Sequence, residues 1–407
     1  MLTAADAPSR RRTIVVLGML STFGPLSLDL YLPALPQLAD SLGTSASSAQ
    51  LSITSCLLGL AVGQLVAGPL SDRLGRRSPL IVGLFLYLLT SAACALAPSI
   101  TVLVLLRLLQ GLSGAAGLVV ARAVARDLYS GRRLVIPFSR LILVSGLAPV
   151  VAPVLGGQLG RVMGWRGVFL VLAGFGLVLL LAGVFGLPET LPERRRTTGG
   201  VRATLHGFAT LLRDRFFVGA AASAGLAAAS MFAYIAGATF VLQKLYGLSP
   251  QAFSFVFGAN ALGIMAMGQV AALLARTRSA VRVLALGLGL NLVGALALAV
   301  TVLTALGLPF LVGSLLVMVS AVGLVFPTST ALALADYPEQ AGTASSLLGL
   351  GQYVAGALAA PLVGIAGTGT AVPLGVVCLS ASTGASLVFA TLVVPVVLAR
   401  RRRRALG

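Results

Sequence analysis

Long apolar runs, following one another with almost no charge inside them, constrain this chain more than any other feature. A helix rising ~1.5 Å per residue needs about 20 apolar residues to cross the ~30 Å hydrocarbon layer of a bilayer. Runs of that size lie near residues 13–36, 47–70, 78–98, 101–126, 134–160, 167–187, 216–240, 252–275, 281–303, 306–334, 341–365 and 371–398, which makes twelve expected spans. Composition agrees with this: of 407 residues 58% are hydrophobic and 10% charged, and the mean hydropathy is +1.02. A soluble domain carries about 25% charged residues, so this chain has too little polar surface to cover itself in water. Lipid tolerates only helices and closed barrels, and the runs lack the period-two alternation of a barrel strand. The expected fold class is an all-α, polytopic membrane protein.

A net charge of +19 raises the question of nucleic acid. The basic residues answer it by their placement, in short clusters between apolar runs and without interleaved aromatics or zinc-ligand spacing. Arg10–Arg12, Arg73/Arg76/Arg77, Arg126/Arg132/Arg133, Arg194–Arg196 with Arg202/Arg213/Arg215, Arg276/Arg278/Arg282 and Arg400–Arg404 all fall on one side of the membrane in a twelve-span layout. The other side receives Arg161, Arg166 and Lys244. The positive-inside rule makes the crowded side cytoplasmic, with both termini there, as expected in a bacterial inner (cytoplasmic) membrane. No nucleic-acid partner is expected.

The longest polar interval follows the sixth run. It divides the chain into an N-terminal six-helix bundle, 1–187, a cytoplasmic linker, 188–215, and a C-terminal six-helix bundle with a basic tail, 216–407. "AVGQ" at Ala61–Gln64 is echoed by "AMGQ" at Ala266–Gln269, a faint repeat in keeping with parallel halves. The 3 cysteines stand alone inside apolar runs, with neither a bridge framework nor metal spacing. No metal or cofactor is expected, and the absence of a GxxxxGK[ST] loop removes ATP as an energy source within the chain.

Asp29 is the clearest chemical feature. It stands in "FGPLSLDLYLPALP" among Pro25, Pro33 and Pro36, and an acid inside a span is costly unless paired, protonated or facing a cavity. With the outer end of the first span taken at Pro36, Asp29 lies roughly 10 Å below it, and Arg107 of the fourth span lies about 9 Å from the same face. The two can pair or couple across a wet cavity. Two readings of Asp29 stay open: proton or substrate handling, or a hydrogen bond to a helix end as architecture.

Two further stretches carry small residues and charge in combination. In "GQLVAGPLSDRLGRRSPL", Gly68 allows close helix approach and Gly75 a tight turn, while Asp72 faces Arg73, Arg76 and Arg77; this reads as a latch that breaks and reforms, or as a topology anchor. In "SGLAPVVAPVLGGQLG", Pro149 and Pro153 remove backbone donors, and Gly156, Gly157 and Gly160 permit close packing. That is a bending and sealing element, or plain small-residue packing.

Taken together these stretches resemble a known family. "GPLSDRLGRRSPL" resembles the loop signature of the major facilitator superfamily, "RLLQGLSGA" its fourth-span arginine motif, and "GLAPVVAPVLGG" the fifth-span motif of its drug:proton antiporters. The opening "LDLYLPALP", with "WR" at Trp165–Arg166 and "LPETL" at Leu187–Leu191, is similar to the bicyclomycin and chloramphenicol resistance (Bcr/CflA) subfamily. The resemblance implies two six-helix bundles rocking about a central site and exporting an apolar drug in exchange for protons. It places Asp29 and Arg107 in proton coupling, Asp72 and Arg76 in a cytoplasmic gate, and Gly156 and Gly157 at the end of the antiporter motif. Ala152 stands where that motif commonly has glycine, and "LLARTRSA" has Thr277 where the second-half counterpart of the loop has an acid.

Tyr31, Gln110, Gln158, Tyr234, Asn260 and Gln352 are the polar or aromatic residues deep in spans that can line a cavity, or can satisfy a neighbouring helix. So little charge among them suits a small, neutral, amphiphilic drug. The expected function is a monomeric, proton-coupled exporter. The alternatives are an exporter of a native metabolite or self-made antibiotic, and a membrane scaffold or sensor without transport. An enzyme is not expected, since no Ser-Lys, Asp-Asp or HExxH arrangement is present.

Overall fold

The computed structural model describes residues 7–128, 135–196, 207–337, 341–365, 367 and 369–399. Arg132, Arg133, Arg202 and Arg400–Arg404 of the charge pattern lie outside them. Among the described residues all regular structure is helical: α1 (Ala7–Ser21), α2 (Phe23–Asp29), α3 (Leu35–Ser41), α4 (Ala46–Leu74), α5 (Arg77–Ala95), α6 (Ile100–Leu128), α7 (Val135–Gly186), α8 (Arg215–Phe240), α9 (Pro250–Leu274), α10 (Ala280–Thr304), α11 (Leu308–Ser320), α12 (Val322–Leu334), α13 (Ala341–Ala359) and α14 (Val372–Val388), with short 3₁₀ or π turns between some of them. Among these residues 10 helical stretches are long and apolar enough to cross a membrane, and 11 if the bent pair Val15–Ser21 and Phe23–Ser41 is one span. One of the ten, Gly146–Gly186, contains Gly164, whose φ of 67° and ψ of −179° divide α7 into two helices. The chain is thus an all-α, polytopic membrane protein.

The surface confirms the solvent. On α5 the exposed large hydrophobic side chains are Val82, Phe85, Leu86 and Leu89, each 46–58% accessible. Their i, i+3, i+4, i+7 spacing makes one helical stripe, yet here the apolar stripe points outward. In water such a stripe would drive aggregation; in lipid it is the expected outer face.

Contacts divide the chain into two compact units, Met1–Thr44 with Ser55–Arg202, and Ser45–Thr54 with Ala203–Gly407. In the first, α5 packs between α6 and α7, and α4 crosses α6 almost backbone to backbone. A Cβ on Gly59 would lie 2.2 Å from the Leu108 carbonyl oxygen, one on Gly63 2.5 Å from that of Leu112, and one on Gly111 2.2 Å from that of Cys56. Dispersion and close backbone approach hold helices together where lipid removes the hydrophobic drive. In the second unit α8 is the central helix, packed against α12, α13 and α14, and a core of Phe216, Leu284, Leu288, Val325 and Phe389 ties it to its neighbours.

Candidate functional site

The first apolar run is not one helix but a series of short ones. α1 and the segment from Phe23 onward are bent by 42°. α2 stops at Asp29, a 3₁₀ turn occupies Leu32–Ala34, and α3 restarts at Leu35. Pro33 and Pro36 each sit in the first turn of the piece that follows a break, where a missing N–H costs nothing and a fixed φ suits the helix. The prolines therefore restart helices rather than merely loosen one. The helical path also runs on to Ser41 instead of ending at Pro36, so Asp29 lies up to about 18 Å from its end and not roughly 10 Å.

The break at Leu30 is held from the side by α7. A Cβ on Gly156 would fall 1.8 Å from the Leu30 carbonyl oxygen, and one on Gly160 3.2 Å from Ala34 Cβ. Glycine at 156 is thus a requirement of contact, since backbone cannot yield as a side chain can. Pro149 and Pro153 lie inside α7, which continues through both; Gly157 is buried in the same stretch.

Asp29 is 5% exposed and Arg107 fully buried. Of the two expected arrangements, direct pairing or coupling across a cavity, direct pairing is not what the structure contains: among the described residues Asp29 and Arg107 form no ion pair. Arg107 is committed elsewhere. Its Nη2 donates to the Ser27 carbonyl at 2.8 Å and its Nη1 to Gln110 Oε1, while Gln110 Nε2 donates to Ser91 Oγ at 2.7 Å. The hydroxyls of Ser27 and Tyr87 are 2.7 Å apart. The guanidinium carbon also lies 4.5 Å from the Tyr31 ring centroid and 5.5 Å from that of Phe169. A planar cation gains from both kinds of partner, forked hydrogen bonds and aromatic faces. Arg107 therefore grips the α2 backbone two residues before Asp29, and the acid follows directly on a segment held by a fixed positive charge without being neutralised by contact. Tyr31 and Gln110, expected as cavity lining, are part of this cluster. Ser27, Tyr87 and Ser91 were not legible as its members, because lone hydroxyls in apolar helices carry no pattern.

At the α4–α5 turn the charged residues come together as expected and gain partners. Gly75 has φ 92°, and a Cβ there would meet Glu189 Oε2 at 2.4 Å. Arg76 pairs with Asp72 through Nη1, with Asp127 Oδ2 through Nε at 2.8 Å, and donates to Ser71 Oγ at 3.0 Å. Burial works against its charge, but the Asp127 and Asp72 carboxylates raise its pKa above the usual arginine value. Thr190 Oγ1 also donates to Asp127 Oδ2, at 3.1 Å. Glu189 accepts from the backbone N–H groups of Arg76 at 2.9 Å, Arg77 at 3.2 Å and Leu191 at 2.9 Å. Burial pushes its carboxyl up, yet these donors together hold it below the ordinary glutamate range. It closes the N-terminus of α5 from more than a hundred residues away in sequence. Arg77 Nη2 donates to the Val184 carbonyl at 2.7 Å, and Arg73 is exposed.

Gly68 differs from expectation. The nearest atom to a Cβ there is Val119 Cγ1 at 4.0 Å, so close helix approach occurs at Gly59 and Gly63 instead. Asp127 and Glu189 were missed by the sequence reading. The signals were an acid at the end of the fourth run, matching Asp72 at the end of the second, and the acid within "LPETL". Of the remaining cavity candidates, Gln158 is exposed and Gln352 half-buried. Tyr234 and Asn260 are buried in the second unit, where Asn260 Nδ2 donates to the Tyr234 hydroxyl at 2.7 Å and Tyr234 stacks on Phe257 with centroids 5.4 Å apart.

A broken first span, an arginine-bearing fourth span and a charged turn after the second form a recognisable set. The family model described as Major Facilitator Superfamily matches residues 16–360. The chain belongs to that superfamily. Like other major facilitators it is a secondary transporter, not an enzyme. It is 39% identical over 396 residues to "Uncharacterized MFS-type transporter YdgK" of Bacillus subtilis (strain 168), covering 96% of this chain and 97% of the relative. It is 30% identical over 378 residues to a "Chloramphenicol resistance protein" of Pseudomonas aeruginosa, covering 91% and 88%. The fold is similar to that of a mutant of the nucleoside transporter NupG, with a TM-score of 0.74 at 14% identity over 93% of this chain and 98% of that one.

Proposed function

We propose that the chain is a proton-coupled exporter of small, neutral, amphiphilic drugs of the phenicol or bicyclomycin type, working as a monomer by alternating access. Reading the break at Gly164 as the turn between a fifth and a sixth span gives twelve spans in two six-helix bundles. The arginine distribution then puts both termini and the Asp72–Arg76 turn on the cytoplasmic side of the bacterial inner membrane.

One observation carries the coupling: Asp29 is a buried acid at the end of a short helix, next to a backbone break that Gly156 closes on and Arg107 holds. A carboxyl in that position takes a proton from water while the site is open to one face of the membrane, keeps it while the break is closed, and yields it to water when the site opens to the other face. Arg107, held by Ser27, Gln110, Tyr31 and Phe169, supplies a positive charge that favours release. The Asp72–Arg76–Asp127 cluster with Glu189 serves as the cytoplasmic latch. The relationship to the chloramphenicol resistance protein supports the substrate class, and the scarcity of charge among the cavity candidates supports neutral cargo.

The test is drug accumulation in a pump-deficient bacterium expressing the chain, with chloramphenicol, florfenicol and bicyclomycin as cargo and a protonophore as the control. Lower accumulation of at least one drug, restored by the protonophore, is expected. Unchanged accumulation across the panel contradicts the drug-export reading and favours a native metabolite as cargo.

A further inference from the structure

In the second unit four spans meet at one polar node in otherwise apolar packing. Asn291, midway along α10, is fully buried. Its Nδ2 donates to the Met318 carbonyl of α11 at 2.9 Å and lies 3.4 Å from Ser230 Oγ of α8. Cys378 of α14 donates its thiol hydrogen to the Ser230 carbonyl at 3.6 Å. Met318 stands three residues before Ala321, where α11 ends and α12 begins. A Cβ on Gly294, one turn along α10, would lie 2.4 Å from the Met318 amide nitrogen. The α11–α12 junction is therefore seated directly on α10, with a glycine to admit its backbone and an amide to hold it.

The node is unfinished. Among the described residues Asn291 Oδ1 is buried without a hydrogen-bond partner, and so is the hydroxyl of Ser382, which lies one turn beyond Cys378 on α14. Each such group costs free energy while it stays unpaired. The two stand on helices that pack together, one an acceptor and the other a donor, so a small shift can pair them.

We propose that Asn291 is a positioning residue for the span made of α11 and α12, its Nδ2 letting go of the Met318 carbonyl as its Oδ1 takes up the Ser382 hydroxyl when that span bends at Ala321. In the arrangement described here the amide holds Met318 and Ser230. In the second, Oδ1 accepts from Ser382 and the α11–α12 junction is released. The consequence for rate rests on the proposed transport cycle, but the exchange of partners itself does not.

Two readouts separate those claims. Hydrogen exchange of the purified full chain in nanodiscs reads the first: Asn291→Leu is expected to speed exchange of the amides of residues 319–325 about tenfold, with residues 77–95 of the first unit unchanged. Transport of radiolabelled chloramphenicol in proteoliposomes under an imposed pH gradient reads the second. Ser382→Ala removes no hydrogen bond of the described arrangement, so a merely structural role predicts no effect. A several-fold lower maximal rate is expected, with unchanged KM and a melting midpoint no lower than that of the wild type, since the lost hydroxyl has no partner here. Adding Ser382→Ala to Asn291→Leu is expected to slow transport no further. Unaltered exchange at 319–325 in Asn291→Leu overturns the pivot. Wild-type transport rates in Ser382→Ala overturn the second arrangement. If the wild type itself does not move chloramphenicol, the substrate reading fails while the exchange experiment still decides the pivot.

Discussion

Replacing Glu189 tests whether the segment after α7 pins the start of α5. The Glu189 carboxylate takes three backbone N–H bonds, from Arg76, Arg77 and Leu191. A charged hydrogen bond contributes about 1.5–3 kcal/mol when shielded, but this side chain is exposed, and solvent screening cuts each to a fraction of that. Glu189→Ala should then cost about 1–2 kcal/mol, and Glu189→Gln, which keeps one acceptor, about half as much. At ~2–4 °C per kcal/mol for a unit of this size, the alanine variant should melt several degrees lower. Cys56, Cys94 and Cys378 are buried and free, so a maleimide dye that fluoresces on reacting with thiols reports unfolding directly. The pH dependence follows from the depressed carboxyl. Its contribution is full above the ordinary value of 4.5 and disappears as pH falls through the lower folded value, so the gap between wild type and variant should narrow with acid. Equal melting at about pH 7, well above the ordinary glutamate value, or a gap indifferent to acid, refutes the assignment of Glu189 as the closing group.

Other positions give independent checks. Gly156→Ala drives a Cβ into the Leu30 carbonyl and should destabilise by about 1–3 kcal/mol or more, whereas Gly68→Ala, with its nearest neighbour at 4.0 Å, should stay within about 0.5 kcal/mol of wild type; thermal melts compare the two. Arg107→Lys keeps the charge but cannot span the Ser27 carbonyl and Gln110 together, so it should lose about 1.5–3 kcal/mol of stability, with a melt at wild-type temperature counting against the forked grip. Asp127→Asn removes one ion-pair partner of Arg76 and should lower the melting midpoint less than Asp72→Asn combined with Asp127→Asn.

Most of the span pattern was legible because lipid leaves one signal, the length of apolar run: among the described residues 10 helical stretches, or 11 with the bent first pair, cover the twelve expected runs. The divided first span was less legible. Pro33 and Pro36 read as helix breakers, but their places in first turns depend on where α7 closes on Leu30, and no local rule states that. That Asp29 and Arg107 can pair or couple rested on matching depth, and depth says nothing about azimuth; Tyr31, Phe169, Gln110 and the Ser27 carbonyl occupy the guanidinium, so direct pairing is absent. The turn at Gly75 was readable since Asp72 and Arg76 are one helical turn apart. Its partners Asp127 and Glu189 come from distant sequence, and a single chain read in order does not reveal such meetings. Asn291 was hidden for the opposite reason: one amide in an apolar helix looks like a tolerated exception until the carbonyl it holds is seen.

Asp29 is the residue on which proton coupling rests. Drug-driven proton movement in everted membrane vesicles, followed with a pH-sensitive dye, measures coupling directly when wild type is compared with Asp29→Asn at matched membrane expression. Chloramphenicol is expected to dissipate the pH gradient through the wild type, while Asp29→Asn remains in the membrane with its fold intact but moves no protons. Proton movement by Asp29→Asn at the wild-type rate would contradict the account and leave Asp29 as architecture.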